Sequence, residues 1–251
     1  MAKHHRPLAA ILAALIALPA LAAPGIPNPI GSNSAIANAG TTVVVTTTAD
    51  SPPGTLIVVA VDYRAITSIT GCTDNASTPN TYTSGGGTTT GTTSQEAILY
   101  SVATTDLPAG GTITCTFAAT AGAKMVASFG VTGISTTPYD APAASSAFAT
   151  STTPSTTTGT FAVSSELAFA ALGITNSQTV TEDANWTTLT EVVSSGKLHV
   201  AYRLITSTAP VTYAPTLGAL SAWTVQAQGF MAAGSIAATL CTMTILNVGA
   251  C

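Results

Sequence analysis

Nine consecutive residues, Thr55-Leu56-Ile57-Val58-Val59-Ala60-Val61-Asp62-Tyr63, run apolar and mostly β-branched behind a Pro52-Pro53-Gly54 stop signal. A strand with one wet face alternates polar and apolar side chains. This run does not, so it predicts a strand covered on both faces. It falls far short of the ~20 apolar residues that a membrane-spanning helix needs. Glu166-Leu167-Ala168-Phe169-Ala170-Ala171-Leu172-Gly173-Ile174 makes the same demand a second time.

The two runs belong to a longer internal match. An offset of 111 residues sets Leu167 on Leu56, Phe169 on Val58 and Ala171 on Ala60. Further on, an offset of 102 sets His199-Val200-Ala201-Tyr202-Arg203 on Ala97-Ile98-Leu99-Tyr100-Ser101. The difference equals the length of Gly85 to Thr93, which reads as a loop inserted in the first half only. Later still, Trp223 to Phe230 matches Lys124 to Val131, with Gly229 on Gly130. Matches kept in order at a nearly constant offset predict a duplication.

Strand-like segments fall near 42–48, 55–63, 95–104, 111–118 and 124–132, then near 155–163, 166–174, 196–205, 209–215 and 222–231. Gly, Ser, Thr and Pro separate them. The pattern predicts an all-β protein, an antiparallel β-sandwich of jelly-roll or immunoglobulin-like type built from two similar halves of about five strands each. Each half has few large apolar residues, so the two are expected to share a core. The halves span 42–134 and 152–232, with a Pro/Ser/Thr/Ala-rich crossover at 135–151. Residues 23–41, with Pro24, Pro27 and Pro29, read as an extended arm. Residues 233–251 lie outside the repeat and read as an edge strand or an assembly segment.

The first 22 residues have the form of a secretory signal peptide. Lys3, His4, His5 and Arg6 make a basic start, Leu8 to Leu21 an apolar core, and Ala20-Leu21-Ala22 a small-x-small cleavage site. The expected location is secreted or cell-surface. Cleavage would leave four cations, Arg64, Lys124, Lys197 and Arg203, against ten acids, a balance of about −6. That excludes the basic patches that nucleic acid and anionic membranes require. No membrane span is expected once the signal is removed.

Cys72, Cys115, Cys241 and Cys251 all follow the signal, and an even count in an exported chain favours disulfides. Pairing inside each segment gives Cys72–Cys115 and Cys241–Cys251. Zinc-type spacing is absent, and no metal or cofactor is expected.

Two segments carry a resemblance. Asp74-Asn75-Ala76-Ser77-Thr78-Pro79-Asn80-Thr81-Tyr82-Thr83 is similar to a D-x-x-G-N-x-Y-T segment, with Pro79 where glycine is usual. Gly133-Ile134-Ser135-Thr136-Thr137-Pro138-Tyr139-Asp140 is similar to a G-x-x-T-T-P-x-D segment. Together they resemble β-sandwich modules of bacterial extracellular proteins and of phage virion or tail-fibre proteins. That resemblance implies a fold and a setting and brings no reaction with it.

Several residues could carry chemistry. On the 196–205 strand, alternation puts Lys197, His199 and Arg203 on one face, expected to be the solvent face. His199 is the only histidine after the signal, and no G-x-S-x-G elbow accompanies it. Paired carboxylates could serve glycoside hydrolysis. The candidates are Asp62, Asp74, Glu96, Glu166, Glu182, Asp183 and Glu191, with Asp62 and Glu96 foremost because they lie on core strands. Asp74/Asn75 or Glu182/Asp183 could bind calcium or form simple turns. Tyr82, Trp186 and Trp223 could stack on sugar rings or plug the core.

The sequence therefore predicts an exported, non-catalytic structural or adhesive β-sandwich, self-associating through edge strands as a surface or virion-associated subunit. One alternative is a carbohydrate-binding module that recognises a polysaccharide or cell-surface ligand through Tyr82, Trp186 or Trp223. The other is a carboxylate-dependent glycosidase.

Overall fold

A computed structural model describes residues 23–35, 40–64, 68–91, 93–120 and 122–234. The signal segment 1–22 and the Cys241–Cys251 pair lie outside the described residues. Everything regular among them is strand. The first half holds β1 (Asn28–Ala35), β2 (Thr42–Thr46), β3 (Leu56–Arg64), β4 (Ile69–Asp74), β5 (Thr83–Thr90), β6 (Ser94–Val102), β7 (Thr112–Phe117) and β8 (Lys124–Val131). Then follow β9 (Ile134–Ser151), β10 (Thr156–Thr157), β11 (Glu166–Ile174), β12 (Val180–Thr181) and β13 (Thr187–Val193). The last are β14 (Lys197–Ile205), β15 (Thr212–Tyr213), β16 (Thr216–Leu217) and β17 (Ser221–Ala232).

The protein is an all-β sandwich of antiparallel strands, stacked in four layers. Two five-stranded sheets form the middle, ordered β1-β8-β3-β6-β5 and β13-β14-β11-β17-β9. They lie face to face with β3 against β11, β1 against β13 and β5 against β9. A three-stranded sheet, β2-β7-β4, covers the first on its outer side, and the pairs β10-β15 and β12-β16 cover the second.

This stacking explains the run at 56–63, where every side chain is buried. Ile57, Val59, Val61 and Tyr63 point outward to Val43, Val45, Ile113 and Phe117 of the three-stranded sheet. Leu56, Val58 and Ala60 point inward to Leu167, Phe169 and Ala171 of β11. Ala168, Ala170, Leu172 and Ile174 point out to Phe161, Tyr213 and Leu217. The halves share the inner core, and Phe129 meets Phe169 edge-to-face across it at 5.2 Å.

The Cys72–Cys115 disulfide is present and joins directly opposed residues of β4 and β7. Closing a loop of 43 residues is worth about 4 kcal/mol in the chain-entropy treatment. No described helix is long and apolar enough to cross a membrane.

Several segments differ from the sequence reading, chiefly where pairing overrides a weak local signal. The arm at 23–41 contains β1, which pairs with β8 and buries Ile30. The supposed inserted loop at 85–93 is mostly β5, with Gly85, Gly86 and Gly87 bulged out between Ser84 and Thr88. A Cβ on Gly85 would lie 2.3 Å from the Tyr139 ring, and one on Gly86 would lie 2.8 Å from Gln226 Nε2. The glycines therefore let this strand hug the opposite sheet. The crossover at 135–151 falls within the long edge strand β9, whose register against β17 slips twice. Pro138 and Pro142 sit in those slips, where an edge strand tolerates proline. Conversely, the strands expected at 155–163 and 209–215 shrink to the two-residue pairs β10 and β15.

Candidate functional site

The two segments that carried the resemblance meet in space. They form opposite walls of an open groove of about 460 Å³ at the edge of the sandwich. Pro79, Thr81 and Thr83 line one wall, Thr136, Thr137, Pro138 and Tyr139 the other, and Tyr100, Ser101, Val102 and Thr104 the remainder.

Each wall hangs on a buried aspartate. Asp74 Oδ1 accepts from the backbone N–H of Ala76 and Asn80, and Oδ2 accepts from Asn80 Nδ2 at 2.8 Å and the Tyr82 hydroxyl at 3.0 Å. Asn80 Oδ1 in turn accepts from the N–H of Thr104 and Thr105. This network spends Asp74 on a turn, as the turn reading of Asp74/Asn75 expects. On the other wall Asp140 accepts from Ala162 N–H at 2.8 Å. The register slip between Ile134 and Tyr139 swings Thr136 and Thr137 out of the ladder into solvent.

Tyr100 and Tyr139 form the aromatic part. Their rings stack at 5.7 Å with planes 20° apart, and Phe230 holds Tyr100 edge-on at 5.5 Å. Partial burial raises both phenol pKa values, and for Tyr139 the neighbouring Tyr100 and Asp140 raise it further. Sequence reasoning did not single out these two tyrosines. The available signal was position: Tyr100 shares a strand face with Ile98 and Val102, and Tyr139 sits inside the T-T-P-x-D segment.

The aromatics weighed as sugar platforms or core plugs lie elsewhere. Trp186 and Trp223 are 5% and 6% exposed, packed in the outer core of the second half. Their indole N–H groups donate to Thr212 O and Ser151 Oγ, and Trp186 meets Tyr213 edge-on. Tyr82 is half-buried against the outer core of the first half, its hydroxyl held by Asp74. The two tryptophans serve as core wedges, because a ring buried to satisfy its own polar handle offers no free face.

The candidate acids sort into internal pairs. Asp62 and Glu96 face each other across β3 and β6, both 0% exposed. Burial lifts the Asp62 carboxyl to about 7 although Arg64 pulls it down, and burial together with Asp62 lifts Glu96 well above its usual range. Arg64 Nε lies 3.7 Å from Asp62, while its other nitrogens donate to Thr175 O and Ile174 O across the seam. Neither carboxyl reaches solvent, so the pair cannot meet a glycosidic bond in this arrangement. Glu166 is buried beside Asp140, accepts from Val163 N–H, and is pushed up to about 8 by burial and by that neighbour.

The face carrying Lys197 and His199 corrects the solvent-face expectation. His199 is 2% exposed, with Nε2 2.8 Å from Glu182 and Nδ1 3.0 Å from Glu191. Lys197 Nζ lies 2.7 Å from Glu191, and Arg203 alone of the three is half-exposed. The cover comes from β13 and the turn after β12, which the sequence reading left out. Asp183 accepts from Asn185 N–H in a tight turn. No group of three His, Cys, Asp or Glu among the described residues is placed to hold a metal ion.

No family model matches this chain, and neither a characterised protein nor a solved structure matches it.

Proposed function

We propose that this protein is an exported, non-catalytic structural or adhesive component of a cell surface or virion, akin to the extracellular sandwich modules that its two groove segments resemble. The observation that carries the reading is the groove itself. Its lining brings hydroxyls, prolines and tyrosines but no carboxylate, histidine, lysine or thiol. Asp62 and Glu96, and His199 with Glu182 and Glu191, are tied into internal clusters instead. A carbohydrate-binding role is the second reading. It is favoured by the stacked Tyr100 and Tyr139, in place of the three aromatics the sequence suggested. Self-association through the sheet edges β1, β5, β9 and β13 would turn such a subunit into a layer or fibre.

Fractionation of producing cells tests the setting. The expected result is a chain starting near Ala23 outside the cytoplasm, with the Cys72–Cys115 bridge formed, that attaches to envelope or neighbouring cells. A soluble cytoplasmic chain that keeps residues 1–22 overturns it.

A further inference from the structure

We infer that the groove between Thr81–Thr83 and Thr136–Tyr139 binds a neutral polysaccharide, laid across the Tyr100–Tyr139 pair and held by side-chain hydroxyls. This rests on the adhesive reading and supplies the ligand that it leaves open.

Charge is the first argument. None of the eleven residues around the groove is ionised at neutral pH. A nucleotide, a phosphorylated group or a uronate chain would lose water there without meeting a cation, at a cost its binding could not offset. The ligand that fits carries no net charge.

Hydroxyl chemistry is the second. Thr81, Thr83, Thr136 and Thr137 are exposed along the two walls. Among the described residues, no partner engages the hydroxyls of Thr81, Thr83 or Thr136. A hydroxyl both donates and accepts, and it rotates to suit. A row of them matches a ligand whose own groups do both, which describes a sugar. An extended peptide presents fixed donors and acceptors and prefers a sheet edge that returns them in register.

Preorganisation is the third. Tyr100 is braced by Phe230, and Tyr139 lies against the Cβ-less backbone of Gly85. Both rings are immobilised in the free protein, so little side-chain entropy is lost on binding. The wall segments are likewise pinned through Asp74 and Asp140. The volume falls within the ~300–1,000 Å³ of small-ligand sites, and because the groove is open it can accept units from within a chain.

Affinity electrophoresis of the full chain through gels holding soluble β-glucan, mannan or galactan tests this, with polygalacturonate as the anionic counterpart. The expected result is retardation by at least one neutral polymer that persists at high salt. Tyr139→Ala should weaken it at least tenfold, and Thr136→Val with Thr81→Val several-fold. Thr136→Val and Thr81→Val alter only exposed wall residues, so they keep the test decisive should Tyr139→Ala unfold the protein. Binding only to polygalacturonate, binding to a proline-rich peptide in preference to every glycan, no retardation by any neutral polymer, or retardation untouched by the threonine pair each overturns the inference. Attachment to cells that survives all these variants would overturn the groove while leaving the adhesive reading standing. Glycan binding by a chain that attaches to nothing would do the reverse.

Discussion

Asp62 on β3 and Glu96 on β6 sit directly opposite each other, and both aim at the spot that a side chain on Gly173 would fill. A Cβ there would lie 2.1 Å from Asp62 Oδ1 and 2.8 Å from Glu96 Oε2. None of the four carboxyl oxygens has a hydrogen-bond partner among the described residues. The nearest cation on β3 is Arg64. Met125 on β8 and Gly173 on β11, the residues packed beside them, bring no charge. Two acids closed into the seam between the halves are stable there only while they keep their protons.

Stability should therefore decline as pH rises. In the unfolded chain an aspartate ionises near 4. In the fold burial holds Asp62 protonated to about 7, Glu96 is raised as well, and Glu166 is raised to about 8. Below about pH 4 folded and unfolded chains both keep these protons, and their contribution is fully present. Between there and about 8 only the unfolded chain ionises freely, so stability is lost across that window. The urea midpoint should fall from pH 4 to pH 8, and Asp62→Asn with Glu96→Gln should flatten the slope. A midpoint that stays level or climbs would show that these carboxyls ionise without penalty.

Gly173 is the complementary half of this arrangement. Gly173→Ala should destabilise by about 1–3 kcal/mol, the usual cost of overpacking a filled core. Combining it with Asp62→Ala removes the carboxylate that it meets. A double-mutant cycle by urea denaturation should then return a coupling energy above about 0.5 kcal/mol. Simple additivity would mean that the added methyl finds room elsewhere.

Much of this could be read in the chain and some could not, for identifiable reasons. The runs at 56–63 and 166–174 announced double burial because neither alternates polar with apolar side chains. They occupy the same central place in their sheets, and the flanking order β8-β3-β6 has its counterpart in β17-β11-β14. Strands with one dry anchor were invisible. β1 buries Ile30 and little else, and β9 spreads its buried residues irregularly because its ladder slips around Pro138 and Pro142. The groove was half legible: its two wall segments stood out as unusual, but only the fold brings them together. The tryptophans stayed undecided between ligand and core until the fold placed them in the core, since composition cannot say which way a large ring faces.

His199 is a structural pivot between Glu182 and Glu191, and its removal should cost more than the loss of either partner. Burial alone would raise Glu191, but hydrogen bonds from Lys197 and His199 outweigh it and hold the carboxyl below its usual range. That contribution is present above about 4.5 and fades as pH falls through the lowered value. It bounds the acid side of the stability optimum. His199→Leu leaves two carboxylates facing an apolar group and should cost about 2 kcal/mol, less than a fully buried pair because Glu191 is partly exposed. Glu191→Gln removes the charge but keeps one oxygen to accept from Lys197, and should cost about 1 kcal/mol. Thermal unfolding of the two variants at pH 6 checks the order. A larger loss for Glu191→Gln would place the main support on Lys197 instead.

Removing β1 should convert the protein into a self-associating one. β1 closes the first middle sheet by pairing along β8, and it carries Ile30 into the core shared with Val43 and Val45. A chain begun at Gly40 leaves the outer edge of β8 with unpaired backbone groups beside an apolar gap, a template for another strand. Light scattering after size exclusion should show mass rising with concentration for the truncated chain. A peptide of residues 23–35 supplied in excess should restore the monomer by refilling the same edge. If the truncated chain stays monomeric and unfolds at the original midpoint, β1 contributes neither edge protection nor core, and self-association would have to run through β5, β9 or β13.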